Sequence, residues 1–407
     1  MKKAASFALG CKVNQYESEA IAELFAEKGY EIVGIDEEAD VYVINTCTVT
    51  NFGDKKSRQL IRKVKRQNEN AIVAVVGCYA QTAPKELMEI AGVNLVIGTK
   101  DRAQIVEMVE QYDRANGVEN HVSDIMKERV FEPLSIQKLA NRTRAYLKIQ
   151  DGCSQYCSYC IIPYARGPIR SREPQEVVAE VKRLAENGFK EVVLTGIHVA
   201  SYGKDRRDTS LLDILKQVHE VEGIERIRFS SIEPNVVTEE FAQTMAALPK
   251  VCDHFHLSLQ SGCDKTLKEM NRKYDTEKYR QAVATLRKYL PKVALTTDII
   301  VGFPGETEED FRESYAFAEE IGFAKIHVFP YSPKRGTPAA ARKDQLLNAV
   351  KSERSHTLIQ LSDRMAADFL ADAVGTDAEV LYERAVGDGI YEGHTTQRYF
   401  NIHEVYS

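Results

Sequence analysis

The sequence predicts an α/β protein in three parts: an N-terminal doubly wound α/β domain, a central partial (β/α)6 barrel, and the start of a C-terminal β-barrel. Three observations predict this. Buried-type apolar runs alternate with amphipathic helical stretches over most of the chain. Cys11, Cys47 and Cys78 each close one of the first apolar runs. A loop carrying Cys153, Cys157 and Cys160 opens a second strand–helix series. At 407 residues, and a prior of ~150 residues per domain, two or three domains are expected.

The elements follow in order. Ala5–Leu9 is a short apolar run ending in Gly10-Cys11. Glu19–Lys28 is an amphipathic helix with Ile21, Leu24 and Phe25 on one side. Val41–Ile44 is a buried-type strand ending at Asn45-Thr46-Cys47. Asp54–Gln67 is a helix, and Ile72–Val76 a strand ending at Gly77-Cys78. Val93–Ile97 followed by Asp101–Gln111 repeats the unit. These residues, 1–120, read as one doubly wound domain. Residues 121–141 have weak periodicity and read as a linker. Residues 142–370 carry strands at Ala145–Ile149, Val192–Leu194, Ile227–Phe229, Phe255–Leu259, Ala294–Ile300 and Ile326–Phe329, alternating with helices such as Pro174–Asn187 and Glu308–Ile321. Six such units suggest an open barrel, with its chemistry at the carboxyl ends of the strands. Residues 371–407 hold short strands at Ala378–Tyr382, Ile390–Glu392 and Tyr399–Glu404, with a turn at Gly387–Gly389. The chain stops before a small barrel could close.

Composition excludes several classes. Charge is 54 basic minus 60 acidic, or −6, so the molecule is no polycation, though a local basic patch is permitted. A hydrophobic share of 43% with 28% charged residues suits a globular protein rather than a disordered one. No apolar run approaches the ~20 residues of a membrane helix. Met1-Lys2-Lys3 before Ala4–Leu9 and Cys11 faintly resembles a lipoprotein signal, but the run is at or below the ~7 residues of a signal core. It reads as a first strand, and the protein as cytoplasmic.

Eight cysteines in a chain this long are not needed as disulfides. Strand ends of an open parallel sheet share one edge, so Cys11, Cys47 and Cys78 either converge there or are three unrelated thiols. Cys153-x3-Cys157-x2-Cys160 is the sharpest signal. Three thiolates on one loop can hold three irons of a four-iron cluster and leave the fourth open. Structural zinc is the competing reading, but no second short-spaced cysteine pair or nearby histidine completes a four-ligand set; His121 and His198 are the closest in sequence. Cys252 and Cys263 have no spacing partner and read as core or loop thiols.

The string Cys153-Ser-Gln-Tyr-Cys157-Ser-Tyr-Cys160 resembles the radical S-adenosylmethionine motif, including the aromatic Tyr159 before the last cysteine. Together with Cys11, Cys47 and Cys78, the chain resembles the methylthiotransferases over nearly its whole length. That resemblance implies an N-terminal domain holding an auxiliary 4Fe-4S cluster on the first trio, a radical domain with a second 4Fe-4S cluster and S-adenosylmethionine, and a C-terminal TRAM barrel that binds RNA. Replacing an unactivated aromatic C–H by C–SCH3 has no acid–base route. In the family's scheme a radical generated from S-adenosylmethionine abstracts hydrogen, and the auxiliary cluster delivers methylated sulfur. The resemblance further implies that Thr195 and Gly196 lie near the methionine amino group, and Ser231 with Glu233 near the methionine or ribose. Gln260 and Asp298 would face the same pocket. It implies a one-electron donor such as flavodoxin or ferredoxin, and a sulfur donor.

Between Asp54 and Arg66, Leu60, Ile61 and Val64 share one helical face. Lys55, Lys56, Arg58, Arg62, Lys63, Lys65 and Arg66 cover the rest, seven cations in twelve residues. Such a helix suits phosphate contacts, here the anticodon stem-loop of tRNA; an ordinary solvated face is the blander alternative. Leu9–Gln15, Gly152–Cys160 and Ile161–Gly167 look most like the subgroup acting on threonylcarbamoyl-adenosine in tRNA. Its rivals act on isopentenyladenosine in tRNA or on a ribosomal-protein aspartate. A rival outside catalysis is an iron–sulfur RNA-binding protein or electron carrier.

Overall fold

Strands rich in valine and isoleucine, with no polar interruption, demand cover on both faces. The computed structural model describes residues 1–136, 143–387, 390–397 and 402–405. Its first sheet is wholly parallel: β1 (Lys3–Ala8), β2 (Glu31–Ile32), β3 (Val41–Thr46), β4 (Ile72–Gly77), β5 (Leu95–Val96) and β6 (Glu119–Asn120) lie in the order β2-β1-β3-β4-β5-β6. Helices α1 (Lys12–Glu27), α2 (Asn51–Gln67), α3 (Cys78–Thr82), α4 (Pro84–Met88) and α5 (Ile105–Gln111) connect them. The order reverses between β1 and β3, which opens a crevice at their carboxyl ends.

The second unit starts with β7 (Arg144–Asp151), α6 (Ile162–Arg166), the antiparallel β8 (Arg170–Ser171) and α7 (Pro174–Glu186). It continues through β9 (Glu191–Gly196), α8 (Leu211–His219), β10 (Arg226–Phe229), α9 (Glu239–Ala247) and β11 (His254–His256). After α10 (Asp264–Glu269) and α11 (Thr276–Tyr289) come β12 (Ala294–Val301), α12 (Glu308–Ile321), β13 (Lys325–Pro330) and α13 (Asn348–Ala371). Strands β7-β9-β10 and β11-β12-β13 form two parallel sheets, joined by bridges Ile227–Val251 and Ile232–Leu257. Among the described residues β7 and β13 do not pair, so this is an open six-strand barrel.

Strands β14 (Val380–Gly387), β15 (Ile390–Thr395) and β16 (Ile402–Val405) form a small antiparallel sheet. It docks on β10, whose buried Arg226 and Arg228 donate to the carbonyls of His394 at 2.7 Å and Thr396 at 2.9 Å. Part of the Gly387–Gly389 turn and part of the Tyr399–Glu404 strand lie outside the described residues.

Two expectations need correction. The first helix begins at Lys12, directly after Cys11, not at Glu19. Its first turns bury Asn14, Glu17 and Ser18, and buried polar residues leave no mark on an apolar periodicity. The expected linker is tied down in its described part: Ile125, Leu134 and Ile136 are buried, and Glu132 accepts from the Arg102 guanidinium at 2.9 Å. Residues 137–142 lie outside the described residues. Helix α1 also serves two cores. Ile21 and Phe25 pack with β1, β3 and β4, while Tyr16 and Ala20 enter the barrel core. The Tyr16 hydroxyl donates to the Leu134 carbonyl at 2.5 Å.

Candidate active site

The first trio sits at the sheet reversal. Cys47 follows β3, Cys11 caps α1 and Cys78 opens α3. Gly10 makes the approach possible: at φ +101° it has no Cβ, which would stand 2.7 Å from Cys47 Sγ. Burial pushes the Cys47 thiol up to about 12, with Cys78 and then Cys11 among the further causes. Cys11 is exposed at the cavity described below, and desolvation by the neighbouring protein raises its thiol too; Arg166 opposes and Cys78 adds to the rise. The three thiols therefore share one electrostatic neighbourhood. Cys78 Sγ accepts from Arg166 Nε at 3.2 Å.

The second trio lies on the loop after β7. The Cys160 amide donates to the Cys157 carbonyl, and the Cys153 amide to the Gly167 carbonyl, both at 3.0 Å, which curls the loop against α6. Tyr156 holds φ +50° inside the curl. Burial is the first cause that pushes Cys153 up to about 11 and Cys160 to about 12, with Cys157 raising both. Cys157 Sγ accepts from Arg272 Nη1 at 3.1 Å. Deprotonating such thiols needs a compensating cation, which a bound metal supplies. Among the described residues no three Cys, His, Asp or Glu side chains stand close enough to share one metal ion. Three thiolates with no fourth protein ligand are a donor set that suits a multi-iron cluster better than structural zinc.

One cavity of about 830 Å³ joins the two trios: Cys11 contributes from the first, and Cys153, Cys157 and Cys160 from the second. That is room for a cofactor and a substrate group together. Tyr159, Thr195, Gly196, Ser231, Glu233 and Asp298 line it as expected. Gln260 does not. Its side-chain oxygen instead accepts from the Tyr159 hydroxyl at 3.2 Å, and its backbone holds φ +71°; it braces a wall residue from behind.

Glu233 is a buried carboxylate of this wall. Burial raises its carboxyl, but the hydrogen bond and charge of His198 and the charge of Arg272 outweigh that and hold it below the usual range. Arg272 Nη2 donates to it at 2.8 Å, and His198 Nε2 lies 3.2 Å away. Asp298 pairs with His256 at 3.2 Å. Such carboxylates can receive an ammonium group or ribose hydroxyls. Sequence reasoning missed Arg272, His198 and His256. His198 stands two residues past Gly196, a usable signal; Arg272 follows a short helix and offers none.

The basic helix is amphipathic as expected, with Ile61 and Val64 buried. Its seven cations are not equivalent in their surroundings. Arg58 donates to the Tyr79 hydroxyl at 2.8 Å, Lys65 to the Ala71 carbonyl at 3.2 Å, and Lys63 pairs with Asp36. Lys55, Lys56, Arg62 and Arg66 are exposed. The helix N-terminus docks on the barrel: Asn51 donates to the Pro333 carbonyl at 3.0 Å, and Asp54 pairs with Lys334. Cys252 and Cys263 are buried away from the cavity.

Comparison with known proteins agrees with this geometry. Residues 147–318 match the Radical SAM superfamily, and residues 3–98 match Uncharacterized protein family UPF0004. The chain is 49% identical over 386 residues to a threonylcarbamoyladenosine tRNA methylthiotransferase, MtaB, of Bacillus subtilis, covering 95% of this chain and 86% of that protein. It is 38% identical to a tRNA-2-methylthio-N(6)-dimethylallyladenosine synthase of Thermoanaerobacter sp., covering 92% and 80%. In fold it is similar to the radical S-adenosylmethionine methyltransferase TsrM of Kitasatospora setae, at TM-score 0.60 and 17% identity over 84% of this chain and 77% of that one. Two cysteine trios, the second and Cys11 of the first lining one cavity, in a chain that matches these relatives almost end to end, lead to one conclusion: the chain belongs to the radical S-adenosylmethionine methylthiotransferase family.

Proposed function

We propose that this chain converts threonylcarbamoyl-adenosine beside the tRNA anticodon to its 2-methylthio form. The observation that carries the reading is the single cavity lined by Cys11 of the first trio and by all three cysteines of the second, supported by the 49% identity to a relative of that name. When bound, two 4Fe-4S clusters and S-adenosylmethionine supply the one-electron chemistry and the sulfur that an unactivated aromatic C–H requires. Cys11, Cys47 and Cys78 hold the auxiliary cluster; Cys153, Cys157 and Cys160 hold the other, each set leaving one iron open. Thr195, Gly196, Ser231, Glu233, Asp298 and Tyr159 orient S-adenosylmethionine, and the surrounding wall limits water. Residues 1–120, 142–370 and 371–407 serve as cluster domain, radical domain and RNA-binding segment. Lys55, Lys56, Arg62 and Arg66 contact tRNA phosphates. A flavodoxin- or ferredoxin-like donor brings the electron, and a separate donor the sulfur. The setting is the cytoplasm; among the described residues no helix is long and apolar enough to cross a membrane.

The test is mass spectrometry of tRNA nucleosides from cells lacking the gene. Loss of 2-methylthio-threonylcarbamoyl-adenosine alone is expected. Loss of the methylthio-isopentenyl nucleoside instead would transfer the chain to the other tRNA subgroup, whose relatives match it at 38%.

A further inference from the structure

Arg166 ends α6, six residues past Cys160, and its side chain is wholly buried. It belongs to the radical unit yet reaches the first trio. Its Nε donates to Cys78 Sγ at 3.2 Å. Its Nη2 donates to Asn14 Oδ1 at 2.6 Å and Glu17 Oε2 at 3.0 Å, and its Nη1 to Glu17 Oε1 at 2.5 Å. Asn14 in turn donates to the carbonyls of Leu9 at 2.8 Å and Thr46 at 3.1 Å, and its Oδ1 lies 3.7 Å from Cys11 Sγ. Two side chains thus tie together the strand ends that present Cys11, Cys47 and Cys78.

The charges around Arg166 do not cancel. Arg102, Lys148, Arg166 and Arg170 form ion pairs with Glu17, Asp151 and Glu132. Four cations against three carboxylates leave one positive charge, and Cys78 is the sulfur that a guanidinium of this network touches. A buried unpaired cation is costly unless an anion faces it. A cluster thiolate is such an anion.

We propose that Arg166 is a positioning residue for the auxiliary cluster: it donates a hydrogen bond to the Cys78 thiolate, raises that cluster's reduction potential, and fixes it against the loop that carries Cys160. The inference rests on the reading that the first trio holds a cluster. The direction follows because reduction adds negative charge, and a charged donor favours the more negative state. Neighbours that bond to ligands commonly tune a metal site in this way.

The test is an EPR-monitored redox titration of the anaerobically reconstituted full chain, with the Cys153 cluster as internal reference. Arg166→Gln leaves three cations for three carboxylates. It is expected to shift the auxiliary potential to more negative values and alter its EPR line shape, while the reference signal stays in place. Arg166→Lys keeps the charge but loses the planar fork, and an intermediate shift is expected. Arg170→Gln removes a cation of the same network that touches no cysteine, and a clearly smaller shift than in Arg166→Gln is expected. An Arg166→Gln chain that loses only the auxiliary irons also supports the role, and Arg166→Lys then carries the potential measurement. Unchanged auxiliary potential in both Arg166 variants, or an equal shift in Arg170→Gln, would overturn the inference. Wild-type protein with only one cluster would instead overturn the reading it rests on.

Discussion

Glu233 shows how single residues set this cavity. A buried carboxyl would ordinarily favour its neutral form, yet His198 and Arg272 keep Glu233 anionic. Glu233→Gln is therefore expected to weaken S-adenosylmethionine binding about ten-fold, or ~1.4 kcal/mol. Equilibrium binding to reconstituted protein checks this, and an unchanged Kd removes Glu233 from the contacts. Some of this scale was legible beforehand. Cys153, Cys157 and Cys160 could be read from spacing alone because they share one loop. Thr195 and Ser231 could be read as strand-end residues. Arg272 could not, because its importance lies in reaching Cys157 and Glu233 from a distant segment. Gln260 stands at a strand end but holds a left-handed backbone, and its side-chain oxygen accepts from the Tyr159 hydroxyl.

Among the elements, α2 carries the clearest consequence. Replacing exposed Lys55, Lys56, Arg62 and Arg66 by Gln should flatten the salt dependence of tRNA affinity, by roughly 0.7–0.9 in log–log slope per lost phosphate contact. Binding measured over a salt series checks this; an unchanged slope rejects the helix as a contact. The loop after β12 carries a pH signature. There Glu306 accepts from the amides of Gly302 and Phe303, and burial pushes its carboxyl up to about 7 despite Arg354. Its folded pKa exceeds the ordinary carboxyl value of 4.5, so its stabilising contribution is full below that value and is lost as pH rises through about 7. Glu306→Gln should then gain on wild type by about 2–3 kcal/mol between pH 5 and 8. Parallel stability curves would contradict this. Strands β3 and β4 were legible because their apolar runs are unbroken. The start of α1 was not, because Asn14 and Glu17 are polar residues buried against Arg166, Arg102 and Lys148.

For the whole molecule, the crevice of a doubly wound sheet and the carboxyl-end face of an open barrel meet in one cavity, which Cys11 reaches from the sheet and Cys153, Cys157 and Cys160 from the barrel. Helix α1 and Arg166 hold the two units in that relation. The order of units along the chain was readable from alternating periodicity, but their mutual placement was not, since it depends on long-range pairs such as Tyr16 with Leu134 and Asn51 with Pro333. The central claim is that both trios bind a cluster. Iron and labile-sulfide analysis of anaerobically reconstituted protein tests it most directly, with each trio replaced by alanine in turn. The account predicts about eight irons per wild-type chain and about four in either triple variant. About four irons in wild type that survive loss of Cys11, Cys47 and Cys78, or zinc in their place, would contradict it.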